Sequence, residues 1–229
     1  MRKFYLFGVF GLMVLITSCS QSEEIFYSCD KTQDEWVKEN LSEIRQMTRS
    51  EWLQVDESMA DPIYRAFTPQ QRIDFWRERF DEIMELPWND AELAHIQSLI
   101  DFMNSNLHIF YGNLSTEDED AMDLFAYKWQ QYAVEQLGWE ENVGLIIMMS
   151  GDKLKNTKGD IEKTSTGLYS RATISTRSES GTILTTCDCN DARLINDCFP
   201  SRKCYDGGCK FVDSGCGLLK GKSCNGLCE

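Results

Sequence analysis

Cysteine is the residue whose type and spacing point most directly to chemistry, since eight of the ten cysteines lie in residues 187–229. Thiols this crowded either form disulfide bonds in an oxidising compartment or bind zinc. Zinc sites are usually built from paired Cys-x-x-Cys motifs or from added histidines, and the segment has neither. We therefore predict a small disulfide-rich lobe, whose candidate cysteines are Cys187, Cys189, Cys198, Cys204, Cys209, Cys216, Cys224 and Cys228.

The spacing of these cysteines assigns no pairing, because eight cysteines can be joined in many different ways. Cross-links are needed in the lobe, since its apolar side chains are too few to hold a segment of this length unaided. Cys29 lies far upstream and is left over. It could pair with a cysteine of the lobe, bridge to another molecule or remain a thiol, and the sequence leaves all three alternatives open.

The N-terminus has the pattern of a secretion signal. Arg2 and Lys3 supply positive charge, and residues 4–16 form an apolar run that is short for a transmembrane helix. The ending Leu15-Ile16-Thr17-Ser18-Cys19 resembles the lipobox of bacterial lipoproteins, in which the cysteine is acylated and becomes the mature N-terminus. We predict a lipoprotein signal peptide at residues 1–18 and a lipid on Cys19. The alternative is a plain signal peptide with an incidental cysteine.

Residues 19–29 are predicted to form an acidic tether. Its start, Ser20 to Glu24, is polar and then acidic, and it resembles the export tag that sends many Bacteroidetes lipoproteins to the outer face of the outer membrane. A generic solvated tether is the other interpretation. We expect a protein of the bacterial cell envelope that is held at the outer membrane by its N-terminal lipid, and display on the cell surface stays open.

Charge divides the chain into an acidic middle and a neutral end. The formal net charge is −14, from 23 basic and 37 acidic residues. Residues 187–229 hold six residues of each sign, whereas residues 19–186 hold 15 basic and 31 acidic residues. A surface this acidic disfavours nucleic acid and anionic lipid as partners of the middle of the chain.

Residues 30–149 are predicted to form a bundle of helices, because their apolar residues recur at helical spacing. Capping patterns, and acidic residues that suit the positive end of the helix dipole, predict five helix starts. These starts lie at Thr32–Glu35, Thr48–Glu51, Thr68–Gln71, Asn89 or Asp90, and Ser115 or Thr116. The tryptophans are expected in the core rather than on a carbohydrate-binding surface. The predicted fold class is therefore mainly α.

Two further segments follow the predicted bundle. Val143–Met149 is a short apolar run that could be a strand or a last buried helix, because periodicity alone does not separate the two. Residues 150–186 have the serine- and threonine-rich composition of an exposed linker, with one hairpin expected around Gly167 or Gly181. The predicted order is thus a helical bundle, a Ser/Thr-rich linker and the disulfide-rich lobe at residues 187–229.

The helical region offers little catalytic or metal-binding chemistry. His95 and His108 are the only histidines, and neither belongs to a metal-binding helix motif, so His95 is predicted to be a surface or boundary residue. The sequence contains neither a nucleophile motif nor a phosphate-binding glycine loop. We therefore predict a protein that is not an enzyme and that uses no cofactor and no metal.

Several of these features together resemble a known family. They are the lipobox, the terminal cysteine lobe and the segments Met47–Trp52, Tyr64–Arg72, Phe75-Trp76, Cys204–Cys209 and Cys224–Cys228. In this order they resemble the Bacteroidetes proteins called fulvocin C-related bacteriocins, over most of the mature chain. The end of the chain is similar to a small disulfide-rich bacteriocin of myxobacteria. The resemblance implies an antibacterial function.

Two functions are compatible with these features. The first is a small disulfide-stapled antibacterial peptide that a lipoprotein presents or releases. The alternative is a non-toxic binding module whose lobe recognises an envelope protein, a host protein or a protease. Because the lobe has no net charge, electrostatic attack on anionic membranes is disfavoured. An antibacterial lobe would therefore need a protein receptor, release from the linker or contact between cells.

Overall fold

The computed structural model describes residues 25–28, 30–162, 204–206, 212–224 and 226–228. Outside these ranges lie the predicted signal peptide, Cys19, Cys29, most of the predicted linker and four candidate disulfide residues, namely Cys187, Cys189, Cys198 and Cys209. We call residues 25–28 and 30–162 the helical body, and residues 212–224 the C-terminal segment.

The helical body contains eight α-helices in the part of the chain that the structure describes. They are α1 (Lys31–Glu39), α2 (Leu41–Ile44), α3 (Arg49–Trp52), α4 (Glu57–Ala66), α5 (Pro69–Met84), α6 (Asp90–Ser105), α7 (Thr116–Glu135) and α8 (Glu141–Met149). A 3₁₀ helix at Leu107–Phe110 connects α6 to α7. The prediction of a mainly α fold is confirmed for the described residues.

Short strands in the described ranges form three antiparallel pairs, which are β1–β2, β3–β6 and β4–β5. The strands are β1 (Lys153–Leu154), β2 (Ile161–Glu162), β3 (Cys204–Asp206), β4 (Val212–Cys216), β5 (Lys222–Cys224) and β6 (Gly226–Cys228). A second 3₁₀ helix, Leu218–Lys220, lies between β4 and β5. The C-terminal segment is therefore a hairpin with a helical turn at its tip.

Side-chain caps begin the main helices where the sequence predicted them. Thr48 and Thr68 accept bonds from the backbone N–H groups of Glu51 and Gln71, whose side chains accept from the N–H of the capping threonine. Such reciprocal bonds satisfy N–H groups that have no partner within the helix. Ser115 begins α7 in the same way, so these predicted starts are confirmed.

The predicted start at Thr32 is wrong. The cap of α1 is Asp30, whose carboxylate accepts from the backbone N–H groups of Thr32 and Gln33. Aspartate and threonine are both favourable N-cap residues, and here they lie two positions apart. The residue at the earlier position caps the helix, which begins at Lys31.

An aromatic core holds the helices together. Trp52, Trp76, Trp88, Trp129 and Trp139 are all buried, which confirms the prediction that tryptophans belong to the core. Trp36 is partly buried against the same cluster. Phe75 lies near the centre, with its ring centroid 4.8 Å from that of Trp52 and 5.2 Å from that of Tyr64. Both pairs meet edge to face, the arrangement that aromatic quadrupoles favour.

The apolar run whose secondary structure the sequence left open is helix α8. Its residues are almost all buried, so the run has no polar face that would have revealed a helical period. The fully buried Arg79 of α5 donates to the carbonyl oxygens of Ile146 and Ile147 at distances of 2.9 and 3.0 Å. These bonds add side-chain donors at the C-terminal end of α8, where carbonyls run out of partners within the helix, and they join α8 to α5.

Residues 150–162 form a hairpin that packs on the helices. Leu154 in β1 is buried, and β1 lies against α5. At Gly151 the backbone approaches the core so closely that a Cβ atom would lie 2.7 Å from ring atoms of both Phe75 and Trp52. These residues, at the start of the predicted linker, are therefore part of the helical body, and the remainder of that linker is outside the described ranges.

Candidate functional site

The C-terminal segment packs on the helical body through two leucines. Leu218 and Leu219 are 3% and 0% exposed, and both belong to the same apolar core as the helices. Their 3₁₀ helix contacts α7 and α8. Complete burial of a leucine side chain contributes about 1.5–3 kcal/mol. The segment is thus held by the same force that holds the body itself.

The tip of the hairpin has an uncommon backbone that makes this burial possible. Leu219 and Lys220 have φ angles of 54° and 51°, in the left-handed region, and follow Gly217 with a φ of 65°. For a residue with a Cβ atom this conformation costs roughly 1–2 kcal/mol. The burial of Leu218 and Leu219 is large enough to offset that cost.

A buried hydrogen-bond chain ties the tip of the segment to the core. The hydroxyl of Tyr64 donates to the carbonyl oxygen of Leu219 at 3.2 Å and accepts from Trp76 Nε1 at 2.9 Å. Tyr64 is fully buried, and this burial raises the pKa of its phenol well above the ordinary value. The phenol therefore stays neutral and keeps its proton for Leu219.

Two lysines of the segment form ion pairs with aspartates of the body. Lys220 Nζ lies 2.6 Å from Asp61 Oδ1 on α4, and Lys222 Nζ lies 3.0 Å from Asp123 Oδ1 on α7. The lysine side chains are only 13% and 10% exposed, so solvent screens these pairs less than it screens surface pairs. Removing one partner would leave a largely buried charge without compensation. The pairs therefore fix the orientation of the segment.

Two glycines allow the backbone of the segment to lie close to side chains of the body. At Gly215, with a φ of 115°, a Cβ atom would lie 2.5 Å from Arg65 Nε. At Gly221 it would lie 3.2 Å from the Cε atom of Met122. Glycine is required at position 215 for its backbone conformation as well as for space. The segment and the body are thus shaped to fit each other.

The structure describes four of the candidate disulfide residues, three of them by backbone alone. Cys216 is buried and takes part in a disulfide bond. Cys204 in β3 lies directly opposite Cys228 in β6, and Cys224 in β5 lies opposite Val212. The β3–β6 pair therefore brings two of the candidate cysteines close together.

A cavity of about 200 Å³ lies where the start of the body meets the C-terminal segment. Arg45, Arg65 and Arg72 line it together with Ser214. The guanidinium groups of Arg65 and Arg72 donate to the carbonyl oxygens of Tyr27 and Phe110, and Arg72 also donates to that of Arg65 at 2.6 Å. Through these hydrogen bonds the two buried arginines connect the start of the helical body, the α4–α5 junction and the 3₁₀ helix after α6.

His95 is buried, so its prediction as a surface or boundary residue is wrong. Its ring stacks on Trp129 at 4.1 Å, and Nε2 lies 3.1 Å from the carbonyl oxygen of Trp129. Burial lowers the pKa of His95 to about 4, so the ring is neutral at neutral pH. His95 therefore packs as an aromatic residue of the core.

The described residues contain no metal-binding group. No three histidine, cysteine, aspartate or glutamate side chains among them lie close enough to hold a metal ion. His108, which is exposed, pairs with Asp118 at 3.1 Å near the start of α7. Across the same described ranges, no helix is both long and apolar enough to cross a bilayer.

No protein-family model, curated protein or solved structure matches this chain. The residues that form the candidate site are therefore assigned by geometry, and they are Asp61, Tyr64, Asp123, Leu218, Leu219, Lys220 and Lys222. Sequence patterns did not single out these residues, because their partners are distant in the chain. The one local signal was the run Leu218–Lys222, in which two leucines and two lysines stand within five residues.

Proposed function

We propose that this chain is a lipid-anchored protein of the bacterial cell envelope whose helical body presents a disulfide-rich lobe with antibacterial activity. The lipobox at Cys19 supports the anchor, and the resemblance to fulvocin C-related bacteriocins supports the activity. The observation that carries the proposal is the packing of the C-terminal segment on the body. In this proposal the protein contacts the outer membrane through its N-terminal lipid. The target of the lobe is a protein.

The packing favours presentation of the lobe over its release. A peptide on a passive stalk would need no buried contact with that stalk. Here Leu219 lies in the core of the body, and Lys220 and Lys222 are paired with its aspartates. Release would require cleavage of the chain and also the loss of these contacts. An anchored protein would instead keep the lobe as part of the membrane-bound chain.

The geometry also supports a cross-linked lobe. Cys204 and Cys228 are direct partners in an antiparallel pair, whose Cα atoms are separated by about 4.5–5.5 Å. That separation lies within the range that a disulfide bond spans. Together with the disulfide of Cys216, it supports the proposal that the eight cysteines between Cys187 and Cys228 staple the lobe. Cys29 is proposed to tether the chain start to the lobe, bridge to another molecule or remain a thiol.

A binding module without toxicity is the second candidate. Both lysines near the tip of the segment are neutralised by carboxylates of the body, so they do not attract an anionic membrane in this state. This observation favours recognition of a protein, which could be an envelope protein, a host protein or a protease. Neither candidate requires an enzyme activity, a cofactor, a metal or a nucleic acid.

Growth inhibition by the purified full-length protein tests the proposal. The oxidised protein should inhibit related bacteria, and the same protein after reduction and alkylation should not, because the lobe depends on its cross-links. Inactivity of the oxidised form against a broad panel of neighbouring species would contradict an antibacterial function. Specific capture of one envelope or host protein without any growth inhibition would favour the binding module.

A further inference from the structure

The part of the C-terminal segment that packs on the body is also its most apolar and basic part. Within residues 212–224 the only leucines are Leu218 and Leu219, and the only basic residues are Lys220 and Lys222. All four are directed at the body, by burial in its core or by ion pairs with its aspartates. We call these four residues the covered face.

The surface of the body shows what kind of partner suits the covered face. It offers an apolar recess for the leucines, and carboxylates stand around it. Asp61 and Asp123 bind the lysines, and Glu119 Oε1 lies 3.4 Å from the hydroxyl of Ser223. The leucines and lysines of the covered face complement this surface in hydrophobicity and in charge, and charge complementarity of this kind selects among protein partners.

We infer that the covered face is the partner-binding face of the lobe, and that the helical body is an internal cover which must separate from it before the lobe acts. The partner is a protein that offers an apolar recess surrounded by carboxylates, as the body does. This inference rests on the proposed function, because it takes the lobe to be the active part of the chain. It gives the acidic body a role of its own, which is to keep the lobe inactive until its target is met.

The cover competes with the partner for the same four side chains. Because body and lobe belong to one chain, the closed state is favoured by a high effective concentration. An external protein binds only the open state, so its apparent affinity is reduced by the fraction of molecules that are open. A change that opens the cover without altering the covered face should therefore strengthen the activity of the lobe.

The open variant is the full-length protein with Asp61→Lys and Asp123→Lys, which places like charges against Lys220 and Lys222. A matched control carries Glu78→Lys and Asp81→Lys, two exposed residues of α5 whose replacement changes the net charge equally. A rescue variant adds Lys220→Asp and Lys222→Asp to the open variant, and so restores both ion pairs with their signs exchanged. The rescue separates loss of the contact from simple misfolding.

Hydrogen exchange of the backbone amides of residues 218–223 measures the opening. These amides should exchange at least about tenfold faster in the open variant than in the wild-type protein and the control. In the rescue variant the exchange should return toward the wild-type rate. Unchanged exchange in the open variant would overturn the inference, because the ion pairs would then not hold the cover closed.

Activity of the same proteins decides whether the covered face is the binding face. The open variant should inhibit related bacteria at an at least about tenfold lower concentration than wild type and control. If the open variant and the wild-type protein inhibited growth equally, the inference would be overturned, but the proposed antibacterial function would not be contradicted. A lack of inhibition by every form would overturn both.

Binding to cells identifies the class of partner. The open variant should bind intact target cells more strongly than the control, and protease treatment of the cells should abolish this binding. Binding that survives the treatment, together with binding to phosphatidylglycerol vesicles, would show a membrane partner and overturn the protein partner inferred here.

Discussion

His95 shows how a single residue type can mislead when its surroundings are unknown. A lone histidine in an acidic helix is typical of a surface position, and the sequence led to that prediction. In the structure the ring stacks on Trp129 and also contacts the ring of Tyr132, and Trp129 Nε1 donates to the carbonyl oxygen of His95 at 3.0 Å. The aromatic neighbours come from another helix, so no local pattern around His95 could reveal them.

The burial of His95 predicts a dependence of stability on pH. Burial lowers its pKa from 6.5 to about 4, so as pH falls through this interval the unfolded state takes up the proton first. The neutral ring therefore contributes stability above pH 6.5 that is lost as pH falls toward 4. Wild-type protein should lose free energy of unfolding relative to His95→Gln across that interval, and the two curves should run parallel above it.

Urea denaturation at several pH values between about 4.5 and 7.5 measures this difference. His108→Gln, a change at an exposed histidine, is the control for the loss of an imidazole elsewhere in the chain. Parallel stability curves for wild type and His95→Gln over the whole interval would contradict a buried, neutral His95.

At the scale of elements, the sequence predicted what depends on neighbouring residues. The caps at Thr48, Thr68 and Ser115 were found because the partner of each cap lies three residues away. Helix α8 stayed ambiguous because it is buried on nearly all sides and therefore lacks an amphipathic period. The hairpin at 150–162 was missed because its serine and glycine content suggested a linker. Its packing on the helical body depends on Phe75 and Trp52, which are distant in the chain.

The docking of this hairpin can be tested at Gly151. A Cβ atom there would lie 2.7 Å from ring atoms of Phe75 and Trp52, two buried aromatics that have little room to move. Gly151→Ala should therefore lower the free energy of unfolding by about 1–3 kcal/mol through overpacking. Equilibrium denaturation in urea measures the loss.

Lys155→Ala is the matched control for that change, since it introduces the same residue at an exposed position of the same hairpin. Its effect should stay within about 0.5 kcal/mol. If both substitutions had equally small effects, the hairpin would not be packed on the core as described.

At the scale of the whole molecule, the acidic middle and the neutral end of the chain meet in one contact. Their charges could be counted separately in the sequence, but no pattern indicated that Lys220 and Lys222 form ion pairs with Asp61 and Asp123, which are 159 and 99 residues away. Contacts at such separations depend on how the helices pack. The candidate site could therefore be predicted only in part, as a cysteine-rich lobe without its place on the body.

This contact changes how the end of the chain is expected to act. A separate lobe behind a linker suggests a peptide that is cleaved from the protein and released. A lobe packed into the core suggests a peptide that remains part of the chain. The proposed lipid on Cys19 would then hold body and lobe together at the membrane. Whether the lobe stays with the anchor is the central question for the function of the molecule.

Mass spectrometry of the native protein under non-reducing conditions tests this most directly, with the membrane fraction and the culture supernatant compared. We expect full-length chain in the membrane fraction, beginning at an acylated Cys19 and ending with the disulfide-bonded lobe. A free fragment in the supernatant that begins within residues 150–187 and carries intact disulfides would contradict presentation by an anchored protein and would favour a released peptide.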